Sequence, residues 1–247
     1  MTVRSDGELS SLKTIGSLVA QARDLMARSI TVGMTTADLD CIGADFLRSH
    51  GATSAPQSVY NFPGFNCISV NDQVVHGVPG TRRIEAGDLV KIDVTAELDG
   101  FIADSATTVL VPPEREEGRQ LLDCAKAAFD RAMKAVKIGG KVSEIGRAVH
   151  QETRKRGFAV VRELSGHGVG RSIHEPPEVP NFYDPYQRAR LTEGLVIAVE
   201  PILSAKPAQL LTAKDGWTLS TDNQCLAVHY EHTVVVTTGD PIILTAA

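Results

Sequence analysis

The chain repeats itself once, and that repeat restricts the folds open to it. In the first half, residues 10–29 carry Leu12, Ile15, Leu18, Val19, Ala22, Leu25 and Met26. Spacings of three and four mark one buried face of an α-helix. Gly33 stops this helix, Thr36 is read as the cap of a second one bearing Leu39, Ile42, Phe46 and Leu47, and Gly51 closes it. The second half does the same. Pro112-Pro113 opens a helix with Leu121, Leu122, Ala125, Phe129, Met133 and Val136 inward, and Gly139 stops it. Ser143 is read as the next cap, Ile145, Ala148 and Val149 face inward, and Gly157 closes the pair. The Gly33-to-Gly51 separation equals the Gly139-to-Gly157 separation. Segments 85–93 and 192–200 each run from a glycine-bearing turn through a β-rich stretch onto an acid, Asp93 or Glu200, at the same distance from Gly87 or Gly194. His76-Gly77-Val78 is echoed by His167-Gly168-Val169. The duplication predicts an α+β fold of two pseudo-symmetric halves, about 1–112 and 113–247, joined within 111–118. The halves share one sheet and bring equivalent side chains to a common centre. At 247 residues the expectation is one catalytic domain with a substantial core.

Four acids and one imidazole stand out against this frame. Asp93, Asp104, His167, Glu200 and Glu231 lie in or beside segments of β composition. Residues 90–110 read as a hairpin around Asp99-Gly100, a strong two-residue turn signal. That turn sets Thr95 opposite Asp104 and puts Asp93 on the same face, which makes Asp93 and Asp104 diagonal neighbours roughly 5–8 Å apart. Asp99 itself is a turn residue. Glu200 ends an apolar strand because Pro201 cannot donate the next ladder bond, and Glu231 opens another. An ionised carboxylate in an apolar interior costs several kcal/mol unless a cation pairs with it. No lysine or arginine lies in the immediate strand context of Asp104, Glu200 or Glu231. Divalent metal is the natural counter-charge. Oxygen-rich ligation with one imidazole suits Mn²⁺, Fe²⁺ or Co²⁺ at least as well as Zn²⁺. Two such ions about 3.5–4 Å apart hold a water and lower its pKa toward roughly 7, which makes hydrolysis the simplest chemistry.

His76 and His174 sit at strand-to-loop positions, and the residues after His174, Glu175-Pro176-Pro177, read as loop. A neutral imidazole at either place can donate to a substrate carbonyl or a developing oxyanion. His50, His150, His229 and His232 are assigned no chemistry, although His229 shares strand parity with Glu231.

The formal charge of −5 argues against a nucleic-acid polymer as the main ligand, though not against docking on a nucleoprotein through a local patch. Cys41, Cys67, Cys124 and Cys225 form neither a C-x-x-C pair nor a zinc-knuckle spacing. Residues 1–9 are too polar for a signal peptide, and no apolar run is long enough for a bilayer. The expectation is a cytoplasmic chain with no membrane contact.

Gly166-His167-Gly168-Val169-Gly170, His174-Glu175-Pro176-Pro177, Val199-Glu200-Pro201 and Tyr230-Glu231-His232-Thr233 resemble the motifs of type I methionine aminopeptidases. So do Ser69-Val70-Asn71 with Val75-His76-Gly77, and Lys91-Ile92-Asp93 with Asp99-Gly100 and Ala103-Asp104. The likeness runs in order over nearly the whole chain. It implies the pita-bread (creatinase/aminopeptidase) fold, two pseudo-symmetric halves around a curved antiparallel sheet with helices outside. It implies two divalent metal ions (Co²⁺, Mn²⁺, Fe²⁺ or Zn²⁺), bridged by Asp104 and Glu231, with Asp93 on one and His167 and Glu200 on the other. It further implies that Glu200 shuttles protons, that His174 stands near the scissile carbonyl and that His76 stands near the scissile amide. Tyr60, Phe62, Cys67 and Trp217 would line the methionine pocket. The implied substrates are nascent polypeptides carrying N-terminal methionine before a small residue, met by a monomer in transient contact with the ribosome. Three departures are visible. Val75 replaces a common cysteine, Gly64-Phe65 differs at the pocket rim, and Ala227 replaces a serine that many members use, with Asn71, to hold an accessory monovalent cation. The last counts against that accessory site. Relatives that cleave X-Pro bonds usually carry an additional N-terminal domain, which is not expected here, and non-catalytic relatives typically lose metal ligands, of which this chain loses none.

Overall fold

The computed structural model describes residues 1–246. Its helices are α1 (Asp6–Ser29), α2 (Thr36–Ser49), α3 (Ala55–Tyr60), α4 (Glu116–Ala135) and α5 (Val142–Lys155). The strands of the first half are β1 (Thr53–Ser54), β2 (Cys67–Val70), β3 (Gln73–Val75), β4 (Leu89–Leu98) and β5 (Phe101–Leu110). Those of the second are β6 (Ala159–Val160), β7 (Ser165–Gly168), β8 (Glu175–Pro180), β9 (Val196–Val199), β10 (Ile202–Ser204), β11 (Leu210–Thr212), β12 (Leu219–Thr221), β13 (Ala227–His229), β14 (His232–Val235) and β15 (Ile242–Ile243).

The four long helices appear where the apolar stripes place them, but their starts differ from expectation. Ser5 caps α1 by accepting from the Glu8 amide, so that helix begins earlier than residue 10. Thr35 rather than Thr36 caps α2, in a capping box with Asp38. α4 starts at Glu116, after Pro112-Pro113, which stay in the connection. Ser143 lies inside the first turn of α5, whose N-cap is Lys141. Lys141 makes no side-chain cap. Its backbone is fixed instead by a bridge to Arg190, just as Thr35 is bridged to Arg83.

That pair of bridges is one of several local contacts that occur twice. Gly33 N–H donates to Ile84 and Gly139 N–H to Leu191, both at 2.8 Å. Gly87 N–H donates to Val111 and Gly194 N–H to Val236. Gly87 and Gly194 have φ of 84° and 76°, a left-handed turn that glycine adopts at little cost. The repeat read from the chain is therefore a repeat of geometry.

The β4–β5 hairpin pairs with β2 and β1, and a second antiparallel sheet runs β15-β14-β9-β7-β8. Helix α1 lays Leu12, Ile15, Val19 and Met26 against Val90, Ile92, Val94 and Ala96 of β4. Helices α4 and α5 lay Phe129, Ala132, Ile145 and Val149 against Ile197, Val199 and Val234. Each large apolar side chain buried this way contributes roughly 1.5–3 kcal/mol. The two sheets meet where Glu231 N–H donates to Ala106 O at 2.9 Å and Ser105 Oγ donates to Glu231 O at 2.7 Å. With helices covering one face, the alternate residues of β4 and β5 point away from them, toward the seam between the halves.

Candidate metal centre

Asp99 and Gly100 both have positive φ, 53° and 76°, the geometry of a tight two-residue hairpin turn. The register follows as expected: Thr95 pairs with Asp104 and Asp93 with Ala106. Asp93, Thr95 and Asp104 thus share one face, and Thr95 Oγ1 donates to Asp104 Oδ1 at 2.8 Å. Glu200 follows β9, with its carbonyl held by Asn181 Nδ2 at 2.8 Å, and Glu231 directly precedes β14. His167 lies on β7 and donates Nδ1–H to its neighbour's carbonyl at Gly168, 3.0 Å away. That leaves Nε2 unprotonated, 3.5 Å from Glu200 Oε1 and 3.9 Å from Asp104 Oδ2.

All five sequence-predicted ligands therefore converge at the seam. Two sets, Asp104–His167–Glu231 and Glu200–His229–Glu231, each place three ligand atoms within 4.8 Å of one another. Asp93 belongs to neither set but borders the same recess. Asp93 Oδ1 and Glu231 Oε1 are buried and without a hydrogen-bond partner. Among the described residues, the nitrogens within ion-pairing distance of Asp104, Glu200 and Glu231 belong to His167 and His229. Burial raises the pKa of Asp93, Glu200 and Glu231 well above the carboxylate range, and neighbouring carboxylates push in the same direction. Burial also raises Asp104, against the hydrogen bond from Thr95. Burial, reinforced by His174, pulls His167 down to about 4, so its ring is neutral at neutral pH, the form that ligates metal. Crowded acids, orphaned oxygens and an unprotonated imidazole fit a divalent cation pair and fit no protein cation nearby.

His229 was not expected in this site. It is buried at the end of β13, with Nε2 3.4 Å from Glu200 Oε2 and 3.4 Å from Glu231 Oε2, aligned for a hydrogen bond with neither. The available signal was its parity with Glu231, and both residues line the same recess.

Above the acids opens a recess of about 320 Å³. Tyr60, Phe62, Cys67 and Trp217 all line it, as do His76 and His174. Phe62 and Trp217 meet edge-to-face at 5.4 Å. Trp217 is held at the turn where Asp215 accepts from the Trp217 and Thr218 amides. His174 stands against His167 at 4.2 Å between centroids, and Tyr60 O–H lies 2.6 Å from its Nδ1. Tyr60 comes from α3, a helix not foreseen in the chain, capped by Ser54. The residues after His174 form strand β8 rather than a loop. β8 is the edge of its sheet, where prolines forfeit no ladder bond. The glycines after His76 and His167 lie against backbone: a Cβ on Gly77 would meet Ile68 O and one on Gly168 would meet Pro176 O.

At the position suggested for an accessory monovalent cation, the Asn71 carbonyl accepts instead from Lys91 Nζ at 2.7 Å, as does the Ala227 carbonyl at 3.0 Å.

Comparison with known proteins agrees with this geometry. Metallopeptidase family M24 matches residues 10–238. Methionine aminopeptidase 2 of Bacillus subtilis is 47% identical over 247 residues, 99% of each chain. The methionine aminopeptidase of Staphylococcus epidermidis is 44% identical, covering 99% of this chain and 98% of its own length. The crystal structure of the Thermotoga maritima methionine aminopeptidase superposes over the full length of both chains with a TM-score of 0.96 at 30% identity. The Pyrococcus furiosus prolidase shares the fold, with a TM-score of 0.81 at 24% identity over 66% of its chain.

Proposed function

The chain belongs to metallopeptidase family M24 and has its pita-bread fold, and from this we infer that it is a methionine aminopeptidase. It hydrolyses the first peptide bond of polypeptides whose N-terminal methionine precedes a small residue. The observation that carries the reading is the convergence of Asp93, Asp104, Glu200, Glu231 and His167, without protein counter-charge, beneath a recess walled by apolar and aromatic side chains. The whole chain acts as one catalytic domain to which both halves contribute.

Asp104 and Glu231 would each contact two divalent ions, Asp93 one of them, and His167 with Glu200 the other. Co²⁺, Mn²⁺, Fe²⁺ and Zn²⁺ all suit these donors. When bound, the pair supplies Lewis acidity and a water acidified to a pKa near about 7. The chain's own groups do the rest. Glu200 takes a proton from the attacking water and returns it to the leaving nitrogen. With the Tyr60 hydroxyl, 2.6 Å away, donating to His174 Nδ1, the ring proton would sit on Nε2, free to donate to the scissile carbonyl oxygen as it gains charge. His76, which lines the same recess, would stand near the scissile amide. Phe62, Cys67 and Trp217 surround the methionine side chain, whose polarisable sulfur favours aromatic neighbours. His229 lies between Glu200 and Glu231, its Nε2 3.4 Å from a carboxylate oxygen of each.

Substrates would be nascent chains, met by a monomer in the cytoplasm through transient contact with the ribosome. A peptide-library digest read by mass spectrometry, with and without chelator, tests the assignment. Loss of methionine from Met-Ala-Ser peptides, abolished by chelator, is the expected result. Intact Met-Ala-Ser peptides with a folded, Mn²⁺- or Co²⁺-loaded protein, or preferential cleavage of Xaa-Pro peptides, would overturn it.

A further inference from the structure

Lys91 is the largest of the fully buried side chains, at 1% exposure, and the mechanism above does not use it. It stands on β4 in register with Ser69 of β2 and Thr108 of β5. It shares the face of Asp93, two residues along the strand. Among the described residues its Nζ has no ion-pair partner. It donates to two main-chain carbonyls that come from distant parts of the chain, Asn71 O at 2.7 Å and Ala227 O at 3.0 Å. Asn71 is in the left-handed region, φ 56°, which turns its carbonyl inward after β2. It is locked there by Leu89 N–H donating to its Oδ1 and by its Nδ2 donating to Asp88. The Asn71 carbonyl also accepts from Ala227 N–H.

Inward-turned carbonyls from separate segments make an oxygen cradle of the kind that binds a small hard cation. Here the cradle is filled by an amine carried on the chain. Its neighbour across the hairpin, Thr108, accepts from His229 N–H at 3.0 Å and donates to His229 O at 2.9 Å. Lys91 therefore grips the first residue of β13 and Thr108 grips the last. β13 pairs with β10 of the second half, so these two side chains tie it to the hairpin of the first. Its last residue places His229 between Glu200 and Glu231.

We propose that Lys91 is a positioning residue whose amine takes the place of an accessory monovalent cation at the Asn71–Ala227 carbonyls, so that this chain sets β13 and His229 without Na⁺ or K⁺. A free cation and Lys91 Nζ cannot both occupy the cradle. The prediction is cation indifference in the native chain and acquired cation dependence once the amine is removed.

The test is the melting temperature of the full chain and two variants in KCl, NaCl and choline chloride at one ionic strength. The native protein melts at the same temperature in all three. Lys91→Ala, which vacates the cradle, melts several degrees lower in choline chloride than in KCl or NaCl. Lys91→Met, which fills the space without an amine, is lowered in all three salts and not recovered. Cation-dependent melting of the native protein would overturn the proposal, and so would a Lys91→Ala protein equally low, or equally unfolded, in KCl and choline. A loss confined to packing would not distinguish the salts. The readout requires no hydrolysis, so it stands apart from the aminopeptidase assignment.

Discussion

Asp104 is held from several sides at once. Its Oδ1 is held by Thr95, its amide N–H donates to Thr233 Oγ1 at 2.9 Å, its carbonyl accepts from the same hydroxyl at 2.8 Å, and its Oδ2 faces His167. These contacts fix the carboxylate where the halves join, and its burial there costs stability when no cation is present, because burial opposes its charge. Asp104→Asn keeps the shape and an oxygen to accept from Thr95 but removes the charge. Hydrolysis of Met-Ala-Ser should fall by at least about 10³-fold, while the metal-free variant melts no lower than the metal-free parent. Retained turnover would remove Asp104 from its bridging role. His229→Ala makes a separate test. With the ring gone, Glu200 and Glu231 lose the group that spans them, and metal affinity measured by calorimetry should weaken about 10- to 100-fold. Unchanged affinity would leave His229 a packing residue.

The strands set how finely those side chains are aimed, and β7 has little room. A Cβ on Gly166 would lie 2.4 Å from the carbonyl oxygen of Ala198 on β9 and 3.2 Å from Val179 Cβ on β8. Backbone cannot yield as a side-chain tip can. Gly166→Ala should destabilise by about 1–3 kcal/mol in denaturant melts and displace His167, its immediate neighbour. A melt coincident with the parent's would show that β7 can slide. What was legible in the chain was local in cause. The β4–β5 hairpin followed from a turn dipeptide and strand alternation, and it alone brought Asp93 and Asp104 together. The long helices followed from their apolar stripes. Their starts did not, because both Thr35 and Thr36 can cap, and the bridge from Thr35 to Arg83 decides between them. The non-local features stayed hidden. β8 reads as loop until its edge position is known, α3 is too short to show a period, and His229 and Lys91 reach the seam through contacts more than a hundred residues away. Strand parity pointed at His229, but the Glu200 carboxylate it also meets comes from another strand end.

At the scale of the molecule the acids act as a joint under tension. Asp93 and Asp104 come from one half, and Glu200, Glu231 and His167 from the other, so a cation pair at the seam ties the two halves together. A ligand bound only by the folded state stabilises by about 2.7 kcal/mol at a hundred times its Kd and about 4.1 at a thousand. For a chain this long, each kcal/mol moves the melting temperature roughly 2–4 °C, so chelation should lower it by about 5–16 °C. The pH dependence separates this from ordinary destabilisation. Asp93, Glu200 and Glu231 have folded-state pKa values raised above their unfolded ones. Such groups contribute stability that is present at low pH and lost as pH rises through the raised value. His167 and His229, pulled down to about 4, act in the opposite sense, but only below the unfolded histidine value near about 6.5. Between that value and pH 8 the three carboxylates set the slope against one opposing group, Lys91, whose amine burial pulls down to about 7. The metal-free protein should gain melting temperature as pH falls across this window. The metal-loaded protein should lose it, because protons displace the ions from the same oxygens. Calorimetric melts of both forms at pH 6.5 and 8 decide the matter. Parallel slopes, or a melting temperature indifferent to chelator, would mean that the acids at the seam are neutralised by something other than metal.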